Sequence, residues 1–282
     1  MKKVKNIILL IIISTLFFGC NQEKNIKKNN KNFFLLNISA DIDSNAYVLA
    51  PTRANIDSAK AKGLDNVIFV FYPRKVISSL GNRTIINEYG DSVDMPSALV
   101  IPLSKNKKVA KGQFLLTWWQ KATGMQRAIV LNKDSSNKPV VFYLDNFTTP
   151  SSSQTMLMMN IDTLKINSFL PIKNDSIMPG RSFMNKADQA FNIVINSDQD
   201  SVIGLTWAGM LNVVSIENCV FSKPDMKLNV GDTVILPYVG SYQQAVLKNV
   251  WSDIGKVKAD VFFLDTIFET YANICDIIPN QK

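Results

Sequence analysis

The sequence predicts a mainly β protein, and three observations support this fold class. Short apolar runs rich in Val, Ile, Phe, Tyr and Leu recur along the chain, each run is bounded by Gly, Pro, Asn or Asp, and only one segment has a helical pattern. Hydrophobic residues make up 46% of the 282 residues, which is enough for a sizeable core. Many short strands separated by turn signals are typical of a β-sandwich or of small β-barrels.

The first 20 residues have the pattern of an export signal. Three lysines lie within the first five residues, and an uninterrupted apolar run covers residues 7–13. This run is too short for a membrane-spanning helix. It continues to the sequence Leu-Phe-Phe-Gly-Cys, which ends at Cys20.

The residues before Cys20 resemble the lipobox of bacterial, Bacteroidota-like lipoproteins. The resemblance implies that residues 1–19 are a removed signal peptide and that Cys20 carries a lipid anchor with palmitate. It therefore implies a cell-envelope lipoprotein, and Asn21 favours the outer membrane over the inner one. Phe17 departs from the family pattern, in which Leu is usual at that position. The alternative is an ordinary secretory signal with an incidental cysteine.

The net charge of +8 belongs mostly to the N-terminal segment. Residues 1–32 hold seven lysines and one glutamate, which accounts for +6 and leaves +2 for the other residues. Residues 20–32 are polar and rich in Asn and Lys, as expected of a flexible tether. The body lacks the excess of basic residues that nucleic-acid binding needs, so no nucleic-acid partner is predicted.

Histidine is absent from the sequence, which excludes Ser-His-Asp triads and His-based zinc sites. No phosphate-binding or dinucleotide-binding glycine motif is present. We therefore predict no cofactor, no metal and no enzymatic activity.

Residues 33–88 are predicted to form an N-terminal β-rich region that contains the one predicted helix. This helix covers residues 55–62, has Asp57 in its first turn and ends before Gly63. The predicted strands are Val67–Tyr72, Ala98–Leu103, Phe114–Trp119, Ala128–Leu131, Val140–Leu144, Phe191–Ile195, Val213–Ile216, Thr233–Tyr238, Ala245–Leu247 and Val261–Leu264.

Residues 112–145 and 231–265 are two copies of one pattern. Each begins with glycine and an apolar strand, continues through a turn and a polar hairpin, and ends with Val-Val-Phe-Tyr-Leu-Asp or Asp-Val-Phe-Phe-Leu-Asp. A fainter match over residues 46–72 is not counted as a third copy.

The second copy resembles Tudor and SH3-like small barrels. The residues that match their pattern are Gly231, Asp232, Val234, Tyr238, Tyr242, Ala245, Leu247, Val261, Phe263 and Asp265. The resemblance implies an all-β fold of tandem SH3/Tudor-like barrels with one short helix. We assign the first barrel to residues 89–149 and the second to residues 211–282, with a β-rich connector over residues 150–210.

Aromatic residues at comparable strand ends are candidate ligand-binding residues, because Tudor-like barrels hold methylated side chains in aromatic cages. They are Trp118, Trp119, Tyr238 and Tyr242. Closure of the barrel core is the favoured interpretation of these four residues. Adjacent Trp118 and Trp119 cannot both point inward from a strand, so one of them is predicted to be exposed and able to stack on a glycan or peptide.

Triplets of Asp, Ser or Thr, and an aliphatic residue are frequent in this chain and resemble the O-glycosylation triplet of exported Bacteroidota proteins. The resemblance implies glycosylation at Ser58, Ser92, Thr163, Ser176 and Ser201. The alternative is a turn that leads into a strand, with Asp in the turn.

Besides Cys20, the sequence contains two cysteines, Cys219 and Cys275. Pairing in a disulfide and burial as two separate thiols are both left open.

Three functional hypotheses follow. The leading one is a lipid-anchored, non-catalytic binding or scaffold module of the cell envelope, whose partner is an unidentified envelope protein, peptide or glycan. The second is a carbohydrate- or peptide-binding lipoprotein that uses exposed aromatic residues. The third is a His-free hydrolase of envelope glycans, which would need two carboxylates about 5–10 Å apart in one cleft.

Overall fold

The computed structural model describes residues 35–103, 108–121, 124–146 and 154–280. Within these ranges the chain forms four antiparallel sheets of five strands each, which confirms the predicted mainly β fold of small barrel-like units. The predicted signal peptide and the tether lie outside the described residues, and so does Cys20.

The four sheets follow one another along the chain and are named sheets A to D. Sheet A contains β1 (Tyr47–Ala50), β2 (Tyr72–Leu80), β3 (Arg83–Glu88), β4 (Asp91–Pro96) and β5 (Ile101–Pro102). Sheet B contains β6 (Phe114–Trp118), β7 (Met125–Lys133), β8 (Pro139–Tyr143), β9 (Ile161–Thr163) and β10 (Leu170–Pro171). Sheet C contains β11 (Ser182–Asn185), β12 (Phe191–Ser197), β13 (Ser201–Thr206), β14 (Leu211–Ser215) and β15 (Cys219–Phe221). Sheet D contains β16 (Thr233–Tyr238), β17 (Ser241–Trp251), β18 (Lys256–Phe263), β19 (Thr266–Asn273) and β20 (Ile278–Pro279).

All four sheets have the same strand order, in which the first strand pairs with both the second and the fifth. In sheets A, C and D a single 3₁₀ turn precedes the fifth strand. These turns are Ser97–Leu99, Ile216–Asn218 and Ile274–Asp276. This is the arrangement of an SH3-like barrel, and it occurs four times in the described residues.

The same backbone hydrogen bond precedes the first strand of each sheet. Two residues before the first strand, a residue with positive φ donates its N–H to a carbonyl of the second strand at 2.8–2.9 Å. These residues are Asn45, Gly112, Gly180 and Gly231. The second strand has a register shift directly after the accepting residue in every sheet. Such a bulge bends the strand and allows a small sheet to curl on itself.

The helix α1 (Arg53–Lys62) begins two residues before the predicted start. Thr52 caps it, because the Thr52 Oγ1 accepts a hydrogen bond from the backbone N–H of Asn55 at 3.3 Å. The helix ends at Gly63, which has a φ of 93°. A second short helix that was not predicted, α2, covers Gln154–Met159.

Only the last residue of the predicted strand Val67–Tyr72 lies in a strand. The backbone N–H of Phe69 donates to the carbonyl of Gly209 at 2.7 Å, and the carbonyl of Phe71 accepts from the N–H of Met125 at 2.8 Å. Both Phe side chains are buried. The apolar pattern here therefore reflects a segment that connects sheet A to sheets B and C rather than a strand.

The sheet boundaries do not follow the predicted segments. Sheet A continues to Pro102, well past the predicted end of the N-terminal region at residue 88. The predicted connector of residues 150–210 contains β9 and β10 of sheet B and the first three strands of sheet C. The physical reason is that each barrel is closed by a short fifth strand, which carries little sequence signal of its own.

The four sheets pack on a shared apolar core within one compact unit that covers Phe33–Lys282. Sheet B is buried on both faces. Leu116 and Phe142 contact the shared core, whereas Leu115 and Val141 fill the interior of the sheet B barrel. Every residue of β6 is consequently buried.

Cys219 and Cys275 are both buried, free thiols, in sheet C and in the 3₁₀ turn of sheet D respectively. Burial raises the pKa of the Cys219 thiol to about 11. It also raises the pKa of the Cys275 thiol well above its ordinary value. The sequence left open a disulfide or two separate buried thiols, and the structure contains two separate buried thiols.

No helix in the described ranges has the length and apolar character that crossing a membrane requires.

Candidate functional site

A group of polar side chains joins sheets B, C and D, and we name it the Arg127 cluster. It consists of the buried residues Arg127, Ser182 and Asp276 and of Asp145 and Asn273, which are partly exposed. The Arg127 guanidinium, whose side chain is 2% exposed, contacts both carboxylates. The cluster therefore ties together residues that are up to 149 positions apart in sequence.

The guanidinium of Arg127 has acceptors for all of its nitrogens. Nε donates to both oxygens of Asp145 at 3.0 Å, and Nη2 donates to Asp145 Oδ1 at 2.6 Å and to Asp276 Oδ2 at 3.1 Å. Nη1 donates to Ser182 Oγ at 2.6 Å and also to Asp276 Oδ1. Such paired contacts with carboxylates are the strongest hydrogen bonds that side chains form.

Both carboxylates have further donors. The backbone N–H of Arg127 donates to Asp145 Oδ2 at 2.7 Å, and the amide of Asn273 donates to Asp276 Oδ2 at 2.9 Å. Burial opposes the charge of Arg127, but Asp145 and Asp276 outweigh it and raise the guanidinium pKa well above its ordinary value. The Arg127 guanidinium therefore stays charged, and the cluster is held by its own hydrogen bonds.

Lys256, the first residue of β18, lies beside the Arg127 cluster and is also buried. Its Nζ donates to the backbone carbonyl of Leu144 at 2.7 Å. Burial lowers the pKa of Lys256, and the positive charge of Arg127 lowers it further, although Asp145 opposes the shift. The contact links sheet D to the end of β8.

A cleft of about 450 Å³ opens above these groups, between sheets B, C and D. This volume lies within the range of about 300–1,000 Å³ that is usual for small-molecule sites. The polar side chains that line the cleft include Gln126, Arg127, Asp145, Asn146, Lys256 and Asn273. Its apolar lining includes Phe191, Leu205, Pro237 and Val239.

Trp207 also lines the cleft, and its residue is 68% exposed. It lies in the turn between β13 and β14 of sheet C. Trp is highly buried on average, and this exposed indole lies at the cleft, which makes Trp207 the best candidate for ligand contact. The binding residues predicted from sequence did not include Trp207, since it lies in a turn and belongs to neither predicted repeat.

The four aromatic residues predicted from sequence do not form this site. Trp118 is buried against Tyr47, with ring centroids 5.3 Å apart, and Trp119 is half-buried against Tyr143, at 6.2 Å. The prediction that one of the two tryptophans would be exposed is wrong, because both faces of sheet B are covered.

The two tyrosines also have structural contacts. Tyr242 is buried, and its hydroxyl donates to the backbone carbonyl of Asp276 at 3.0 Å. It therefore supports the turn that holds Asp276 and has no surface for a ligand. Tyr238 is half-buried between Phe263 and Phe268, at centroid distances of 5.5 and 5.9 Å, next to two residues that line the cleft.

The five candidate glycosylation residues are far apart along the fold: Ser58 lies in α1, Ser176 in the loop between β10 and β11, and Ser92, Thr163 and Ser201 in strands of sheets A, B and C. Ser92, Thr163 and Ser176 are exposed, whereas Ser58 and Ser201 are half-buried. The N–H of Ser201 donates to Asp198 Oδ1 at 2.8 Å, as in the turn-to-strand alternative. Glycosylation at the five residues stays a prediction.

The cleft contains two carboxylates, as the hydrolase hypothesis requires, but both are paired with Arg127. General-acid catalysis needs a carboxyl group that keeps its proton near neutral pH. Here the oxygens of both carboxylates already accept hydrogen bonds from the Arg127 guanidinium. In the part of the chain that the structure describes, no group of three or more Cys, Asp and Glu side chains could hold a metal ion.

Comparison with models of known protein families gives no match for this chain, and comparison with curated proteins gives no match either. The fold and the site describe a protein of four SH3-like sheets, three of which share a cleft.

Proposed function

We propose that the protein is a non-catalytic binding module of the cell envelope, anchored in a membrane by a lipid on Cys20. The observation that carries the binding function is the exposed Trp207 at a cleft whose floor is a prearranged set of ionic and amide groups. The lipobox resemblance and the polar tether support the anchoring. The tether would hold the cleft near the membrane while leaving it open to the envelope space.

The Arg127 cluster supports a binding role over a hydrolytic one. Both carboxylates accept several hydrogen bonds from Arg127 and Asn273, so neither is arranged as a free acid or base. Residues with this many fixed partners keep their position when a ligand enters. The cleft is in this sense organised before binding, which reduces the entropy lost on association.

The lipid anchor has a direct test. In cells labelled with a palmitate analogue, the Cys20→Ser variant is expected to lose the label and to accumulate as unprocessed precursor, because the thiol that receives the lipid is gone. Cys219→Ser is the matched control and should keep the label, since Cys219 is buried in sheet C. Full labelling of Cys20→Ser would overturn the anchoring.

The binding function can be tested before the ligand is identified. We expect the immobilised full-length protein to retain material from a cell-envelope extract, and we expect Trp207→Ala to reduce that retention at least about tenfold, as for an aromatic anchor residue. Tyr89→Ala is the matched control, because Tyr89 is 84% exposed and does not line the cleft. Equal retention by both variants would overturn the cleft as the binding site.

A further inference from the structure

We propose that the ligand of this cleft is an uncharged saccharide, with one sugar ring stacked on Trp207 and its hydroxyl groups bonded to the polar floor. The inference rests on the proposed function and adds the chemical class of the ligand. Three features of the described residues support it: the presentation of the indole ring, an acceptor without a donor, and the charge balance of the cleft.

The backbone that carries Trp207 is fixed by the hydrogen bonds of its turn. The N–H of Gly209 donates to the carbonyl of Thr206 at 2.9 Å, and the N–H of Met210 donates to Thr206 Oγ1 at 3.1 Å. The carbonyl of Gly209 accepts from Phe69, which ties the turn to the segment before β2. A ligand that stacks on Trp207 therefore pays no entropy for ordering the backbone beneath the ring.

Gly240 supports the indole from the neighbouring hairpin of sheet D. A methyl group placed on Gly240 would lie 3.6–3.8 Å from the nearest atoms of the Trp207 side chain, which is ordinary van der Waals contact. The hairpin that contains Gly240 therefore lies directly beside one part of the indole. The exposed remainder of the indole is the surface on which the apolar face of a sugar ring can stack.

The polar floor has an acceptor that needs a donor. Gln126 lines the cleft, and its Oε1 atom is buried and has no hydrogen-bond partner among the described residues. An unsatisfied buried acceptor costs free energy, and a ligand that donates to it recovers that cost. The amide side chains of Gln126, Asn146 and Asn273 on the same floor can both donate and accept, whereas the oxygens of Asp145 already accept from Arg127. Hydroxyl groups of a sugar match this set, since each can donate and accept.

The charges of the floor favour a neutral ligand. Arg127 and Lys256 contribute two positive charges, and Asp145 and Asp276 contribute two negative charges, so the four groups balance. A charged ligand would have to enter a partly desolvated cleft without a net opposite charge, which is unfavourable. Specificity for an uncharged, hydroxylated ring follows from this balance.

An array of uncharged and acidic glycans, probed with the full-length protein, tests the inference. We expect binding to uncharged members, with a blue shift of the tryptophan emission on titration with the tightest of them. Trp207→Ala is expected to weaken that binding at least about tenfold, and Trp207→Phe should restore part of it, because the smaller ring still stacks. Tyr89→Ala is the control and should bind like the wild type.

The other outcomes each have a definite meaning. Binding to acidic glycans alone, or binding only to an oligoproline peptide, would overturn the saccharide class, as would binding of uncharged glycans that is insensitive to Trp207→Ala. If envelope extract is still retained through Trp207 but no uncharged glycan binds, the ligand class fails and the proposed function stands. If Trp207-dependent retention is also absent, both fail.

Discussion

Replacing Arg127 with methionine is expected to lower the free energy of unfolding by about 3–5 kcal/mol. The guanidinium is buried and bonds to side chains of sheets C and D and to Asp145, at the end of β8. Methionine fills part of the volume but leaves the buried Asp276 and the partly exposed Asp145 without the guanidinium that pairs with both, and Lys256 is the remaining cation of the cleft lining. The loss of these largely buried contacts accounts for most of the expected effect.

Urea unfolding of the two full-length proteins, followed by circular dichroism, measures the difference. Arg83→Met is the matched control, because Arg83 pairs with Asp94 on the surface, where the two side chains are 47% and 56% exposed. A surface pair of this kind contributes about 1 kcal/mol or less. If Arg127→Met cost no more than Arg83→Met, the Arg127 cluster would not be the contact that holds sheets B, C and D together.

The sequence predicted the fold class well because two of the four barrels carry a strong pattern. Sheets B and D each begin with glycine and end their third strand with adjacent aromatic residues, as in Val-Val-Phe-Tyr-Leu-Asp. Sheet A starts with Asn45 in the same backbone role, and an amide side chain in place of glycine hides the match. Sheet C starts with Gly180, but its third strand contains Gly204 and no aromatic residue before Trp207.

The aligned ends of the two repeats had different roles, which the sequence could not show. Asp145 and Asp265 occupy matching positions in the pattern. Asp145 bonds to Arg127, whereas Asp265 lies in the hairpin between β18 and β19 with a φ of 57°. The two positions thus differ in backbone conformation as well, since Asp145 has no positive φ, and the contact with another sheet decides what the Asp145 side chain does.

The cleft was beyond the reach of sequence reasoning, because its residues come from three sheets that pack side by side. Trp207 had one usable signal. It is a large aromatic residue in a turn, flanked by Thr206, Ala208 and Gly209, where no barrel core can cover it. By contrast, the adjacent Trp118 and Trp119 looked more exposed than they are, because strand alternation does not tell whether the outer face of a sheet is covered by its neighbours.

The second large effect is expected at the contact between sheets B and D. Gly255 precedes Lys256 and has a φ of 68°. A methyl group on Gly255 would lie 2.9 Å from Phe114 Cε1 and 3.3 Å from atoms of Ile129 and Leu144, three side chains on the side of sheet B that faces the shared core. Gly255→Ala is therefore expected to cost about 2–4 kcal/mol, from overpacking together with the left-handed backbone conformation.

Gly81→Ala separates the two contributions, because Gly81 has a similar φ of 59° and nothing lies within 4 Å of a methyl group placed there. Its cost should be about 1–2 kcal/mol, from the backbone conformation alone. Urea unfolding measures how much more Gly255→Ala lowers the free energy of unfolding than Gly81→Ala does. This difference is the steric cost of separating sheets B and D. Displacement of Gly255 also moves Lys256 away from the Leu144 carbonyl, so Gly255→Ala should weaken ligand binding in the cleft under conditions where the protein is still folded. If both substitutions lowered the free energy of unfolding equally, sheets B and D would accommodate the methyl group at this contact without a further loss of stability.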